Sequence, residues 1–183
     1  MYISKIDLNN FRNFKESTIY FNDGVNVLIG HNNAGKTNIL KALSLIFEGK
    51  GRKKLEIDDF SKNITFDELK TASPKITISV TISKGEWQDP DDLVIVGDWL
   101  TKLQTEYEAL LTYEFYLPDR DFDLYQKKID EINKDDVNSL KKAWSIIEND
   151  FIKRYKHKIW GGEIVNQNQA DNEYLNRFDY QFL

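Results

Sequence analysis

The stretch that decides this chain is Val25-Asn26-Val27-Leu28-Ile29-Gly30-His31-Asn32-Asn33-Ala34-Gly35-Lys36-Thr37. Its first five residues are nearly all apolar and β-branched, the composition of a strand buried on both faces. Gly30 to Thr37 fits G-x-x-x-x-G-K-S/T, the pattern of a phosphate-binding loop. Beyond it the period changes. Ile39, Leu40, Leu43, Ile46 and Phe47 recur at helical spacing, and Gly49 marks the stop. A strand before the loop and an amphipathic helix after it are the context the pattern requires.

Each part of the pattern has a physical task. The glycines let the backbone turn tightly with its N–H groups aimed at phosphate oxygens. The following helix offers its positive end to the same anion. Lys36 supplies a point charge for the β- and γ-phosphates, and the Thr37 hydroxyl completes a Mg²⁺ shell. The candidate nucleotide-binding residues are therefore Gly30, His31, Asn32, Asn33, Ala34, Gly35, Lys36, Thr37 and Asn38. His31 reads as a spacer within the loop, not as an acid or base.

The rest of the composition narrows the class. The chain has 183 residues, 40% hydrophobic and 13% aromatic, enough for a core and too apolar for disorder. Nine glycines and three prolines exclude collagen and long Pro-rich linkers. With no cysteine there is no disulfide frame, thiol nucleophile or Cys-ligated zinc. His31 and His157 are the only histidines, too few for a His-rich metal site. The formal charge of -5 argues against a wholly electrostatic nucleic-acid binder. No run reaches the ~18 apolar residues of a membrane span, and no signal peptide is evident, so the expected location is cytoplasmic.

Outward from the loop, residues 2–11 and 15–21 read as two strands joined by the Arg12-Asn13-Phe14 turn. Ile76, Ile78, Val80 and Ile82 alternate as a half-buried strand, and Leu110 to Leu117 reads as another, ended by Pro118. Lys50, Arg52, Lys53 and Lys54 form a basic loop. Lys153, Arg154, Lys156 and Lys158 form a second basic group, and both are candidate phosphate-backbone contacts. From Asp119 onward charge becomes dense. Phe122, Tyr125, Ile129 and Ile132, then Val137, Leu140, Trp144, Ile147, Phe151 and Tyr155, mark two one-sided helices expected to pack antiparallel. Asn133 to Asp136 separates them and offers an N-cap, and Gly161-Gly162 is expected to end the second. Phe178, Tyr180 and Phe182 start a further alternating strand.

Other motifs are weaker. Asn133-Lys134-Asp135-Asp136 matches N-K-x-D but follows amphipathic helix where a guanine-reading motif follows a buried strand. Leu93-Val94-Ile95-Val96-Gly97-Asp98 has the outline of a strand ending in a metal-side carboxylate, with Trp99 where a second acid belongs. Its bland reading is an ordinary short strand and turn. Asp98 is the candidate catalytic carboxylate of an alternative reading, a self-contained small P-loop NTPase or kinase. Against it, such enzymes usually begin with the loop's own strand, and two strands precede it here.

The segments Leu8-Asn9-Asn10-Phe11-Arg12-Asn13-Phe14 and Gly30 to Leu43 resemble the start of the RecF/SMC-like ATPase heads. The paired Asn32-Asn33 before Ala-Gly-Lys-Thr-Asn, and Asp58-Asp59-Phe60 further on, are most similar to the OLD-family (overcoming lysogenization defect) ATP-dependent nucleases. The resemblance implies an α/β P-loop NTPase of the ABC-ATPase-head type: a mixed sheet with an antiparallel β subdomain and a helical insertion. It implies ATP and Mg²⁺ as cofactors, DNA as a partner of the whole protein, and a homodimer of heads. It also puts Arg12 and Asn13 beside the nucleotide, and implies an endonuclease domain that does not fit in this chain. Gln181 is a candidate Q-loop glutamine, and Trp160-Gly161-Gly162-Glu163 has the outline of a signature tail. The expected organisation is an N-terminal lobe over 1–118, a helical hairpin over 119–165 and the start of a further sheet over 166–183. A signature helix and an acid pair for hydrolysis are not found, so the chain is expected to be the N-terminal part of a longer ATPase.

Overall fold

The computed structural model describes residues 1–32, 34–48, 53–86, 90–103, 106–171, 175 and 178. Its frame is one antiparallel sheet. Strands β1 (Tyr2–Phe11) and β2 (Phe14–Tyr20) form a hairpin. Strand β3 (Ile76–Ser83) lies on the other side of β1, and β5 (Tyr107–Tyr116) lies beyond β3. The outer edge of β5 is shared end to end by β4 (Leu100–Leu103) and β6 (Lys156–Gly161). The short β4 has no counterpart in the sequence reading.

Alternation explains the packing. Ile6 pairs with Val80 and Val80 with Leu111; Leu8 pairs with Ile78 and Ile78 with Tyr113. These six side chains share one face and are fully buried. The opposite face carries Ser79, whose hydroxyl meets that of Thr112 at 3.0 Å, and the Lys5–Asp7 ion pair. One face packs on the core and the other stays polar, the usual division in an antiparallel sheet. Helix α1 (Lys36–Phe47) contributes Ile39, Ala42, Leu43, Leu45, Ile46 and Phe47 to the same core.

Helix α2 (Phe66–Thr71) starts at a reciprocal capping box between Thr65 and Glu68. Helices α4 (Phe122–Asp130) and α5 (Ser139–Ile146), the latter extended by a π-helical turn at Ile147–Phe151 and a 3-10 turn at Ile152–Arg154, form the expected pair. Arg154 pairs with Asp121 at 2.8 Å, Phe151 meets Tyr125 edge to face, and Asp150 pairs with Lys128 at 2.5 Å. The descending numbers on one side against ascending numbers on the other make the pair antiparallel. Tyr125 and Phe151 are fully buried, as the aromatic stripe predicts.

Four expectations need correction. Val25 to Ile29 is not a strand, and Val25, Val27 and Ile29 are 93%, 74% and 91% exposed. A strand needs a neighbour to ladder with, and burial on both faces needs layers packed above and below it; no described strand runs beside this run. Leu93 to Val96 lies in helix α3 (Pro90–Val96), with Gly97–Trp99 as a 3-10 turn, so no strand leads to Asp98. Asp91 and Asp92 in its first turn favour the helix. The second insertion helix does not run to Gly161. It ends at Arg154, and Lys156–Gly161 returns to the sheet as β6. There Gly161 has a structural cause: a Cβ would stand 2.1 Å from Trp99 Cδ1. Finally, Val137 is 99% exposed, because α5 begins only at Ser139 and the Asn133–Asp136 stretch caps through turns of its own. Tyr180, Gln181 and Phe182 lie outside the described residues, as do Gly49, Lys50 and Arg52.

Candidate nucleotide-binding site

The loop from Gly30 leads into α1 through Gly35, whose φ of 96° is left-handed. A Cβ there would sit 2.5 Å from Asn13 Nδ2 and 2.6 Å from the Phe14 ring. Position 35 must therefore be glycine for two reasons, its backbone angle and the β1–β2 turn packed behind it. Gly30 is also tight, since a Cβ would stand 3.2 Å from that of Ala34. The Ala34 N–H donates to the His31 carbonyl at 3.1 Å and closes the turn.

The start of α1 has no side-chain cap and no acidic residue in its first turn. Its leading N–H groups and its positive end are left for an anion. The Lys36 ammonium folds back over the loop and donates to the carbonyls of Gly30 at 2.5 Å and His31 at 2.9 Å. It is thereby kept at the loop mouth beside the helix start. His31, Asn32, Ala34 and Thr37 are exposed along the same rim. Asn33 lies outside the described residues.

Arg12 and Asn13 are brought to the same place. Asn38, in the first turn of α1, receives Arg12 Nη1 on its Oδ1 at 3.1 Å and donates its Nδ2 to Asn13 Oδ1 at 2.7 Å. A cleft of about 440 Å³ opens between Arg12, Asn13 and Asn38 on one side and Asp58, Phe60, Lys62 and Asn63 on the other, next to the loop and not lined by the described residues of Gly30–Thr37. Asp98 is exposed on the 3-10 turn after α3 and has no hydrogen bond or ion pair to the loop among the described residues. No group of three His, Asp or Glu that could hold a metal occurs among the described residues. The donor set at the loop suits polyphosphate: backbone N–H groups, one ammonium, one guanidinium. Thr37 offers one hydroxyl to a cation the nucleotide itself would carry.

The basic groups have partly structural roles. Lys53 Nζ caps the end of α1 at the carbonyls of Leu45 (3.2 Å) and Ile46 (3.1 Å), and burial lowers its pKa. Lys54 Nζ reaches the Lys153 carbonyl at 3.2 Å, joining the two basic segments. Lys158 lies over the Trp160 ring at 4.8 Å.

A left-handed glycine at the foot of an uncapped helix, with a lysine drawn over the loop, defines a P-loop nucleotide-binding fold. The chain belongs to the AAA ATPase domain family (AAA_15), which it matches over residues 1–182. Among curated proteins it is similar to the DNA replication and repair protein RecF. It is 50% identical to that of Limosilactobacillus reuteri over 46 residues, which is 25% of this chain and 12% of RecF. It is 39% identical to that of Rickettsia akari over 62 residues, 34% of this chain and 17% of RecF. It is 45% identical to that of Acetivibrio thermocellus over 53 residues, 29% and 14% of the two chains. The matched segments thus span under a fifth of these relatives. A solved structure from work on ATP-driven dimerization and DNA-stimulated activation of SMC ATPases aligns at TM-score 0.46 and 14% identity, covering 97% of this chain and 76% of that one. No described helix is long and apolar enough to cross a membrane.

Residues that sequence reasoning missed include Asp59. It receives Arg12 Nε at 2.9 Å and lies in a segment noticed only for its resemblance. Nothing in a single sequence ties position 59 to position 12.

Proposed function

We propose that this chain is the ATP-binding N-terminal part of a DNA-processing ATPase of the OLD type. ATP–Mg²⁺ is held by the 30–38 loop, with Lys36 on the β- and γ-phosphates and Thr37 toward the metal. Arg12 adds charge at the start of α1, and Asn13 braces the neighbouring backbone. The observation that carries this reading is the Gly35–Lys36 geometry: a left-handed glycine, an unsatisfied helix start, and an ammonium lying across two loop carbonyls. Such a site acts by positioning and by neutralising phosphate charge, not by covalent chemistry.

The exposed Val25, Val27 and Ile29 support a place in a longer head, where neighbouring strands would cover this run. Hydrolysis then waits for an acid pair and a second head, and turnover by the isolated chain is low. DNA and a homodimer partner belong to that longer protein. The kinase-like alternative loses its main support, because Asp98 follows a helix.

Equilibrium binding of a fluorescent ATP analogue tests the reading. The 183-residue chain should bind it in the presence of Mg²⁺, and Lys36→Ala should weaken binding at least about tenfold, the scale of a lost charge-assisted phosphate contact. Unchanged affinity in Lys36→Ala would remove the loop from nucleotide binding. Fast hydrolysis by the monomer would contradict the dependence on further motifs.

A further inference from the structure

The segment from Ile57 to Ser61 is strapped across the β1–β2 turn. Arg12 N–H donates to the Asp59 carbonyl at 2.8 Å, Ser61 N–H donates to the Asn10 carbonyl at 2.9 Å, and Phe11 bridges Phe60. The turn it holds is strained, with Asn10 at φ 55° and Arg12 at φ 51°. The strap itself is well anchored. Phe60 is 2% exposed, and its ring lies between 5.6 and 5.8 Å from those of Phe115, Trp144 and Tyr155.

Both oxygens of Asp59 are committed. Oδ2 accepts the Glu56 N–H at 2.9 Å, closing the capping box of the 57–59 turn. Oδ1 accepts Arg12 Nε at 2.9 Å and forms an ion pair with Nη2 at 2.7 Å. The side chain is only 13% exposed, so the pair is better shielded than an ordinary surface ion pair. With Nε and Nη2 held against the carboxylate, the remaining nitrogen, Nη1, donates to Asn38 Oδ1 in the first turn of α1.

We propose that Asp59 is a positioning residue: it grips one edge of Arg12 so that the other edge faces the helix start where the phosphates bind. This rests on the nucleotide reading above. It has a consequence of definite sign. If Asp59 instead neutralised Arg12 and held it back, removing the carboxylate would tighten nucleotide binding. As an aiming device, its removal weakens binding, and only when Arg12 is there to be aimed.

The test is a double-mutant cycle on the full chain, read by affinity for a fluorescent ATP analogue, with thermal melting alongside. Asp59→Asn keeps the side chain's shape and an acceptor for Glu56. Arg12→Ala and Asp59→Asn should each weaken binding about fivefold, and the double variant should be no weaker than Arg12→Ala alone. Additive losses, unchanged affinity or tighter binding in Asp59→Asn would overturn the proposal. If Asp59→Asn melts too low to be read, Arg12→Lys reports on the same contact. Lysine keeps the charge but lacks the Nε/Nη2 edge, so affinity should still fall, and full affinity overturns the proposal. Additive losses together with a defective Lys36→Ala would leave the nucleotide reading standing. No binding by the unaltered chain would overturn both.

Discussion

At Gly35 a single methyl group would meet Asn13 and the Phe14 ring while the backbone holds a left-handed angle. Gly35→Ala should therefore destabilise the chain by about 2 kcal/mol or more, through strain and displacement of the turn. A chemical denaturation midpoint equal to that of the unaltered chain would contradict it. Gly161 makes a similar demand for a different reason, since Trp99 fills the space a Cβ would need. The two positions show what a sequence exposes. Gly35 and Lys36 sit in a pattern whose chemistry dictates their types, so they are legible. Gly161 follows a helix in the sequence and reads as its stop, because the indole that excludes a side chain comes from 62 positions earlier by number (161 − 99). Asp59 is illegible for the same cause, a contact with Arg12 that only folding creates.

Among the elements, α2 depends on Glu68, which accepts from Lys15 Nζ at 2.5 Å and from the Thr65 N–H and hydroxyl at 2.8 and 2.9 Å. The Lys15 ammonium first, then the Thr65 donors, pull the Glu68 carboxyl down to about 2 from the ordinary 4.5. A depressed carboxyl stabilises the fold above its unfolded pKa and loses that contribution as pH falls through the folded one. The capping of α2 should thus weaken between about 4.5 and 2, less steeply in Glu68→Gln. Both partners are substantially exposed, so high salt should shrink the Lys15 share. Acid titrations of melting temperature at two salt concentrations check this, and identical curves for the two proteins would contradict it. The strap residue Phe60 makes a second element-scale prediction. Phe60→Ala should cost about 3–5 kcal/mol, because it empties a site walled by three aromatic rings. A loss below about 1 kcal/mol would mean the site collapses around the gap. Elements with strict alternation, such as β3, were readable from periodicity alone. The 93–96 run was not, because four apolar residues suit a strand and a buried helix equally.

For the molecule as a whole, strands β1, β2, β3 and β5 and the α4–α5 pair follow from patterns within the chain, whereas β4 and β6 on the outer edge of β5 do not. Val25, Val27 and Ile29 follow the same composition rules yet stand exposed, and only Leu28 packs against the core from this apolar run. Its sequence is suited to neighbours on both sides, and burial is a property of neighbours that composition cannot supply. The candidate site divides the same way. The Gly30–Thr37 pattern is local in sequence, whereas the brace behind it comes from two distant segments, Asn13-Phe14 and Asp59. The central claim is that this assembly binds ATP–Mg²⁺. Amide-resolved NMR of the chain, titrated with Mg²⁺ and a non-hydrolysable ATP analogue, tests it most directly. The largest, saturable shifts are expected at Gly30, Gly35, Lys36, Thr37 and Asn38, with Arg12 and Asn13 moving with them. Shifts confined to other regions, or none at saturating nucleotide, would contradict it.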